Sequence, residues 1–142
     1  MLTEKELELT KKDLDSLPNI LGTLNATIEA AKKELREVVE MQIKEIENEL
    51  LYEVKYTMEE GTDKKKYKDD SAREKALKEK RDSNLGYQNL LERQKELKNA
   101  IFTTELKFFD YDKKFKAVRV KAELMANELR LKADLHRDFD RE

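Results

Sequence analysis

An apolar heptad repeat over residues 87–129 constrains the fold of this chain more than any other feature. Residues recur there at alternating steps of three and four, the spacing that aligns them along one side of an α-helix. The positions are Tyr87, Leu90, Gln94, Leu97, Ile101, Thr104, Phe108, Tyr111, Phe115, Val118, Ala122, Met125 and Leu129. Only two of them are polar, and no Gly or Pro interrupts the run. One helix of this length would extend about 65 Å at ~1.5 Å per residue. It therefore needs a partner helix to cover its apolar side.

A second apolar pattern of nearly equal length precedes the heptad repeat. Its members are Leu17, Leu21, Leu24, Ile28, Ala31, Leu35, Val39, Ile43, Ile46, Leu50, Val54 and Met58. Extra steps of four after Leu35 and Leu50 move its period toward 3.6 residues. Two matched helices joined by a connector predict an antiparallel helical hairpin. Gly61 is expected to end the first long helix in the left-handed conformation.

The sequence thus predicts an all-α fold, in which a single elongated helical domain spans residues 1–142. A capping box at Thr3–Glu6 opens a first helix that should stop before Pro18. A second capping box at Ser71–Glu74 opens another helix, and the turn-prone run 82–86 precedes the heptad helix. The expected elements are a short N-terminal helix (1–16), a long helix (17–60), a basic loop (61–70), a short helix at the hairpin end (71–81), a long heptad helix (84–132) and a frayed tail (133–142).

Composition excludes several classes of protein. Charged residues make up 44 % of the chain and hydrophobic residues 38 %, with three Gly and one Pro, which is typical of long helices and coiled coils. There is no Cys, so disulfides and thiolate chemistry are excluded. No apolar run approaches the ~20 residues that span a membrane, and the acidic N-terminal residues do not form a signal peptide. We expect a soluble cytoplasmic protein without a membrane partner.

The residues that enzymes use for catalysis are missing or scattered. The single histidine, His136, lies in the predicted tail, and the three glycines are isolated, so no phosphate-binding loop exists. Without Cys or a second His, nucleophile–base pairs and His-rich metal sites are unavailable. The sequence predicts a protein that is not an enzyme, with no metal, no cofactor and no small-molecule substrate.

Charge is unevenly distributed and marks a candidate nucleic-acid contact. Residues 1–63 carry 8 Lys/Arg against 16 Asp/Glu, whereas residues 64–81 carry 9 against 4. The candidate residues are Lys64, Lys65, Lys66, Tyr67, Lys68 and Arg73. Lysines neutralise phosphates, and a tyrosine among them can stack on an unpaired base. The alternative is a basic loop that contacts only solvent.

A second basic cluster lies within the heptad helix. It comprises Lys107, Lys113, Lys114, Lys116, Arg119 and Lys121, six positive charges against three negative ones across residues 105–121. Lysines also flank the seams of coiled coils, so this cluster can instead pair with the acidic first helix.

A second apolar stripe occupies another face of the same helix. Phe102, Leu106 and Phe109 recur at i, i+4 and i+7 and do not belong to the heptad seam. One partner helix cannot cover both faces. Either the N-terminal helix packs on this stripe or another copy of the protein does, and self-association is the favoured interpretation.

The order of parts resembles a group of small helical proteins of phages and prophages. The resemblance rests on the short motifs KKKYK…SARE and GYQNLL, which lie between an acidic long helix and a heptad helix. It covers residues 43–125. The layout is similar to that of the UvsY-type recombination mediators. That resemblance implies a helical oligomer that loads a recombinase onto single-stranded DNA, with strand contacts at Lys64–Lys68 and Arg73. The long, strongly acidic first helix departs from it.

The sequence is therefore compatible with two functions. The first is a self-associating recombination accessory protein that binds single-stranded DNA and a recombination protein. The alternative is a coiled-coil module that acts as scaffold, adaptor or inhibitor of a host complex and has no nucleic-acid role.

Overall fold

The computed structural model describes residues 3–62 and 64–140, with side chains up to residue 137. Its helices are α1 (Glu4–Glu34), α2 (Glu40–Tyr56), α3 (Asp70–Ser83) and α4 (Leu85–Asp140), and a π-helical segment at Leu35–Val39 joins α1 to α2. Across the described residues the one β feature is an isolated bridge between Met58 and Lys65. The predicted all-α hairpin is confirmed: the long C-terminal helix packs against the first helical arm.

Contacts divide the chain into two compact units. We call Glu29–Phe102 the middle unit and Met1–Ile28 with Thr103–Glu142 the terminal unit. The core of the middle unit contains Val39, Ile43, Tyr87 and Leu97, with partly buried neighbours at Ala31, Leu35, Ile46, Leu90 and Leu91. The terminal unit buries Thr10, Leu17, Ile28 and Met125.

The two apolar patterns are the buried faces of the helices. From Leu17 to Val54, every position of the first pattern is buried or half-buried. From Tyr87 to Met125, every position of the heptad pattern is likewise buried or half-buried. The last member of each, Met58 and Leu129, is exposed. The periodicity therefore identified the buried faces correctly.

The π-helical segment coincides with an irregularity of the first pattern. Leu35, Val39 and Ile43 follow one another at two successive steps of four, where a heptad repeat has a three and a four. In a helix with 3.6 residues per turn, two successive steps of four residues rotate the later side chain away from the buried face. The wider π-helical turn accommodates the extra residue and removes that rotation. The backbone N–H of Glu40 accordingly donates to the carbonyl of Leu35, five residues back. Leu35 and Val39 both stay turned toward the core.

The predicted break before Pro18 is wrong. Instead of a separate helix over 1–16, α1 continues through Pro18 to Glu34. An internal proline removes one backbone hydrogen bond and costs about 3 kcal/mol. Pro18 lies on the exposed face, while its neighbour Leu17 is 2 % exposed. Burial of apolar residues on both sides of the proline offsets that cost.

Other boundaries also differ from the sequence prediction. The first arm ends at Tyr56 rather than residue 60, and α3 is capped by Asp69, whose side chain accepts from the backbone N–H of Ala72 at 2.6 Å, rather than by Ser71. Asn84 caps α4 by accepting from the N–H of Tyr87. The predicted frayed tail is helical to Asp140, and residues 141–142 lie outside the described residues. Ion pairs along the helix support it, including Arg137–Asp134 at 3.5 Å.

Candidate nucleic-acid interface

The basic loop between α2 and α3 is a short backbone hairpin. The N–H of Glu59 donates to the carbonyl of Lys64 at 2.8 Å, and the N–H of Lys66 donates to the carbonyl of Thr57 at 2.9 Å. Gly61 turns this hairpin at φ 73°, a left-handed conformation that glycine adopts without strain. The left-handed glycine was predicted, but it serves the hairpin, not the end of the helix. The hairpin holds the side chains of Lys64, Lys65 and Lys66 in solvent.

Arg73 braces the loop from the first turns of α3. Its Nε donates to the carbonyl of Tyr67 at 3.3 Å, and its Nη1 lies 3.6 Å from a carboxylate oxygen of Asp70. Both Arg73 and Tyr67 are half-buried. The Nζ of Lys68 lies 3.8 Å from the Glu59 carboxylate across the loop. Of the predicted contact residues, Lys64, Lys65 and Lys66 are thus the most open, whereas Lys68 and Arg73 also hold the loop together.

Two tyrosines of α2 join the loop and were missed by sequence reasoning. The rings of Tyr52 and Tyr56 lie 4.5 Å apart between centroids, tilted by 43°. They are 64 % and 47 % exposed. Their spacing, i and i+4 off the buried seam, was the sequence signal that could have found them. An exposed aromatic pair on the last turns of a helix presents apolar ring surface to solvent.

Lysines lie near the rings of Tyr56 and Tyr67. The Nζ atoms of Lys55 and Lys65 lie 5.6 and 5.9 Å from the centroid of the Tyr56 ring. The Nζ of Lys66 lies 5.6 Å from the centroid of the Tyr67 ring. Cations within about 6 Å of a ring face are attracted by its quadrupole. We call this set of side chains the tyrosine–lysine surface: Tyr52, Lys55, Tyr56, Lys65, Lys66 and Tyr67.

The surface rests on firmly tied helices of the middle unit. Lys80 of α3 bonds Glu53 of α2 at 3.1 Å. The hydroxyl of Tyr87 donates to Oε1 of Glu47 at 2.7 Å. This hydrogen bond, then burial and the negative charge of Glu47, raise the pKa of Tyr87 above its ordinary value of 10.0, while Arg81 acts in the opposite direction. Nη2 of Arg93 in α4 donates to both carboxylate oxygens of Glu34, each at 2.9 Å.

A shallow cleft of about 390 Å³ lies between α2 and α3, next to this surface. It is lined by Leu51, Val54, Lys55, Asp70, Arg73, Glu74 and Leu77. Its lining has two cations, two carboxylates and three apolar side chains, so the cleft carries no excess of charge. It can accept an uncharged planar group more readily than a phosphate.

The second basic cluster is engaged along its own helix. Lys113 lies 4.5 Å from the ring centroid of Phe109, Arg119 lies 5.8 Å from that of Phe115, and Lys116 pairs with Asp112 at 3.0 Å. The stripe beside this cluster is uncovered: Phe102, Leu106 and Phe109 are 64, 51 and 55 % exposed. The N-terminal helix therefore does not cover it.

The described part of the chain carries neither a metal-binding cluster nor a membrane-spanning helix. Residues 3–62 and 64–140 contain no group of three His, Asp or Glu side chains placed to hold a metal ion. None of the described helices has a stretch long and apolar enough to cross a membrane. Comparison with known proteins gave no match to a family model, a curated protein or a solved structure.

Proposed function

We propose that this protein is a non-enzymatic, self-associating accessory protein of phage-type recombination that binds single-stranded DNA through the tyrosine–lysine surface. The observation that carries the proposal is the exposed ring pair Tyr52–Tyr56 beside a basic hairpin, with lysines near the rings of Tyr56 and Tyr67. Such a combination is how proteins bind single strands without reading sequence. A cytoplasmic location and a recombination protein as partner complete the proposal.

The arrangement divides the work between two kinds of side chain. Lys64, Lys65 and Lys66 stand in solvent on a hairpin and can neutralise successive phosphates. Tyr52 and Tyr56 offer ring faces to unpaired bases, each stack contributing about 1–3 kcal/mol. Because bases inside a duplex are already stacked, this surface favours a single strand. Self-association multiplies the surface, so that one strand meets several copies.

The experiment is a titration of a labelled oligothymidylate followed by fluorescence anisotropy at several salt concentrations. Affinity should fall by about 0.7 log units per tenfold rise in salt for each phosphate neutralised. Changing Lys64, Lys65, Lys66 and Lys68 to Ser should weaken binding and flatten that slope. The matched control changes Lys5, Lys11, Lys12 and Lys33 of α1 to Ser, which removes the same charge from exposed positions elsewhere. Equal weakening by both sets, or no binding by the unmodified protein at low salt, rejects the proposal.

The ring contribution is tested separately. The double variant Tyr52→Leu with Tyr56→Leu should reduce the preference for single strand over duplex about tenfold or more. Its control, Tyr52→Phe with Tyr56→Phe, keeps both aromatic rings in place and should leave the preference unchanged. An unchanged preference in the leucine variant contradicts stacking at this surface.

A protein-interaction module without a nucleic-acid role is the second candidate, and the uncovered stripe of α4 favours it. Under that function, Phe102→Ser with Phe109→Ser abolishes assembly seen in light scattering. The tyrosine–lysine variants then change neither assembly nor any strand binding. The two candidates are separated by whether the unmodified protein binds the strand at all.

A further inference from the structure

The uncovered stripe of α4 continues far beyond the three residues first identified. In the terminal unit, large apolar side chains that are 51–64 % exposed recur along one face of the helix: Leu106, Phe109, Val120, Leu124, Leu131 and Leu135. Their spacing follows an 11-residue repeat, as in Phe109, Val120 and Leu131. That repeat equals 3.67 residues per turn, close to the 3.6 of an α-helix, so the face runs almost straight along α4.

Two charged residues interrupt this face. Lys113 stands 11 residues before Leu124, and Glu128 stands 11 residues after Ala117, so both occupy positions of the repeat. One interruption is positive and the other negative. They lie at nearly equal distances on either side of Val120. A face with a cation on one side of its centre and an anion on the other is complementary to itself when reversed.

We propose that this face binds the same face of a second copy, with the two α4 helices antiparallel and a twofold axis beside Val120. In this register Lys113 meets Glu128 of the partner subunit, and by symmetry the pair occurs twice. Leu106 meets Leu135 of the partner subunit, and Ala117 meets Leu124 of the partner subunit. Both charges are matched, and these other two layers are apolar. The inference rests on the self-association part of the proposed function and is independent of DNA binding.

Charge selects both the direction and the register. A parallel pair sets Lys113 against its own copy and Glu128 against its own copy, so like charges meet at the seam. Sliding the antiparallel pair by one repeat in one direction sets Lys113 against Ala117 of the partner subunit. Sliding it in the other sets Glu128 against Leu124 of the partner subunit. Only the proposed register pairs both charges.

The residues that flank the face agree with the same register. It sets Asp110 beside Lys132 of the partner subunit and Asp112 beside Arg130 of the partner subunit. Lys116 lies beside Glu123 of the partner subunit. Lys116 and Lys132 already pair with Asp112 and Glu128 of their own helix, at 3.0 and 3.7 Å, so the contacts between subunits extend existing pairs into networks. An isologous dimer requires such reciprocity.

Single-cysteine variants test the register directly, because the natural chain has no cysteine. Ala117→Cys and Leu124→Cys are made as separate proteins, mixed at equal concentration and oxidised in a glutathione buffer. In the proposed dimer the two positions face each other. Two copies of position 117, by contrast, lie about 10 Å apart along the axis, beyond the reach of a disulfide. Mass spectrometry should therefore show mixed disulfides in large excess over either homodimer.

The same disulfide assay includes a control variant and can contradict the proposed dimer. Ala126→Cys is exposed on the same turn as Leu124 but points away from the face, and it sets the background of random collision. Homodimers of Ala117→Cys equal to the mixed product would show a parallel pair and overturn the proposal. Mixed products no more abundant than the control would show that this face is not an interface.

A charge exchange gives a second readout without cysteine. Lys113→Glu should weaken dimerisation about tenfold or more, since it then faces Glu128 of the partner subunit. Adding Glu128→Lys to the same chain should restore the dimer, as judged by light scattering. Failure of the double variant to recover contradicts the register. If the unmodified protein binds no single strand but the cysteine variants form the mixed disulfide, the DNA proposal is rejected and the dimer proposal is supported.

Discussion

Both units of this chain are built on paired helices, but they bury their apolar side chains to different extents. In the middle unit, Val39, Ile43, Tyr87 and Leu97 form a closed core. Polar contacts between its helices add to that core, such as Tyr87 with Glu47 and Arg93 with Glu34. In the terminal unit, the aromatic seam residues Phe108, Tyr111 and Phe115 are only half-buried, and a second apolar face of α4 lies open.

The difference shows how one long helix can serve two purposes. The heptad period of 3.5 keeps one face of α4 toward the first arm, whereas the 11-residue period places a second apolar face in solvent. Leaving Leu124 or Leu131 exposed forgoes the stabilisation of about 1.5–3 kcal/mol that burial of such a side chain provides. The middle unit thus has a closed core, whereas the terminal unit leaves a second apolar face in solvent, which we propose is covered by a second copy.

The largest expected effect lies in the core of the middle unit. Leu97→Ala should lower the free energy of unfolding by about 2–5 kcal/mol, because it leaves a cavity in the core of the middle unit. Guanidinium unfolding followed by circular dichroism measures this loss. A loss below about 1 kcal/mol would show that the middle unit is not the closed core described.

In the terminal unit, Pro18→Ala should stabilise the protein by about 1–3 kcal/mol. The alanine restores the backbone hydrogen bond that proline removes inside α1 and relieves its clash with the preceding turn. Thermal unfolding monitored by helicity should show the gain as a higher Tm. A lower Tm would mean that the helix needs the proline, contrary to the account given for α1.

Tyr87→Phe should cost about 1 kcal/mol, because Glu47 then loses a hydrogen-bond donor at a partly buried position. The pKa of Tyr87 is raised in the folded protein, so its stabilising contribution is complete below pH 10.0 and is lost as pH rises through the folded pKa. The stability difference between the two proteins should therefore shrink above pH 10.0. A difference that stays constant with pH would show that this hydrogen bond does not stabilise the fold.

Leu124→Ala should change the stability of the isolated subunit by less than about 0.5 kcal/mol, since the side chain is 64 % exposed. At concentrations where the protein associates, the same variant should lower Tm, because the subunit interface loses an apolar side chain. Melting curves over a range of protein concentrations separate the two. A large loss at the lowest concentration would place Leu124 in the subunit core.

The buried faces could be predicted from the sequence, because burial along a helix follows periodicity. Local boundaries were less predictable, since packing around Leu17 overrode the breaking tendency of Pro18, and Asp69 and Ser71 compete as caps in the same turn. The basic loop was found from its charge. Tyr52 and Tyr56 were missed, because the approach of Lys65 to the Tyr56 ring depends on how the loop folds.

Stacking of unpaired bases on the tyrosine–lysine surface should change the intrinsic fluorescence of the tyrosines. The protein has five tyrosines and no tryptophan, so tyrosine emission, corrected for absorption by the DNA, is observed without a tryptophan signal. Oligothymidylate should quench the emission with the same affinity that anisotropy reports, and the variant Tyr52→Leu with Tyr56→Leu should lose most of that quenching. Strand binding with unchanged emission, or equal quenching in the variant, would contradict stacking at this surface.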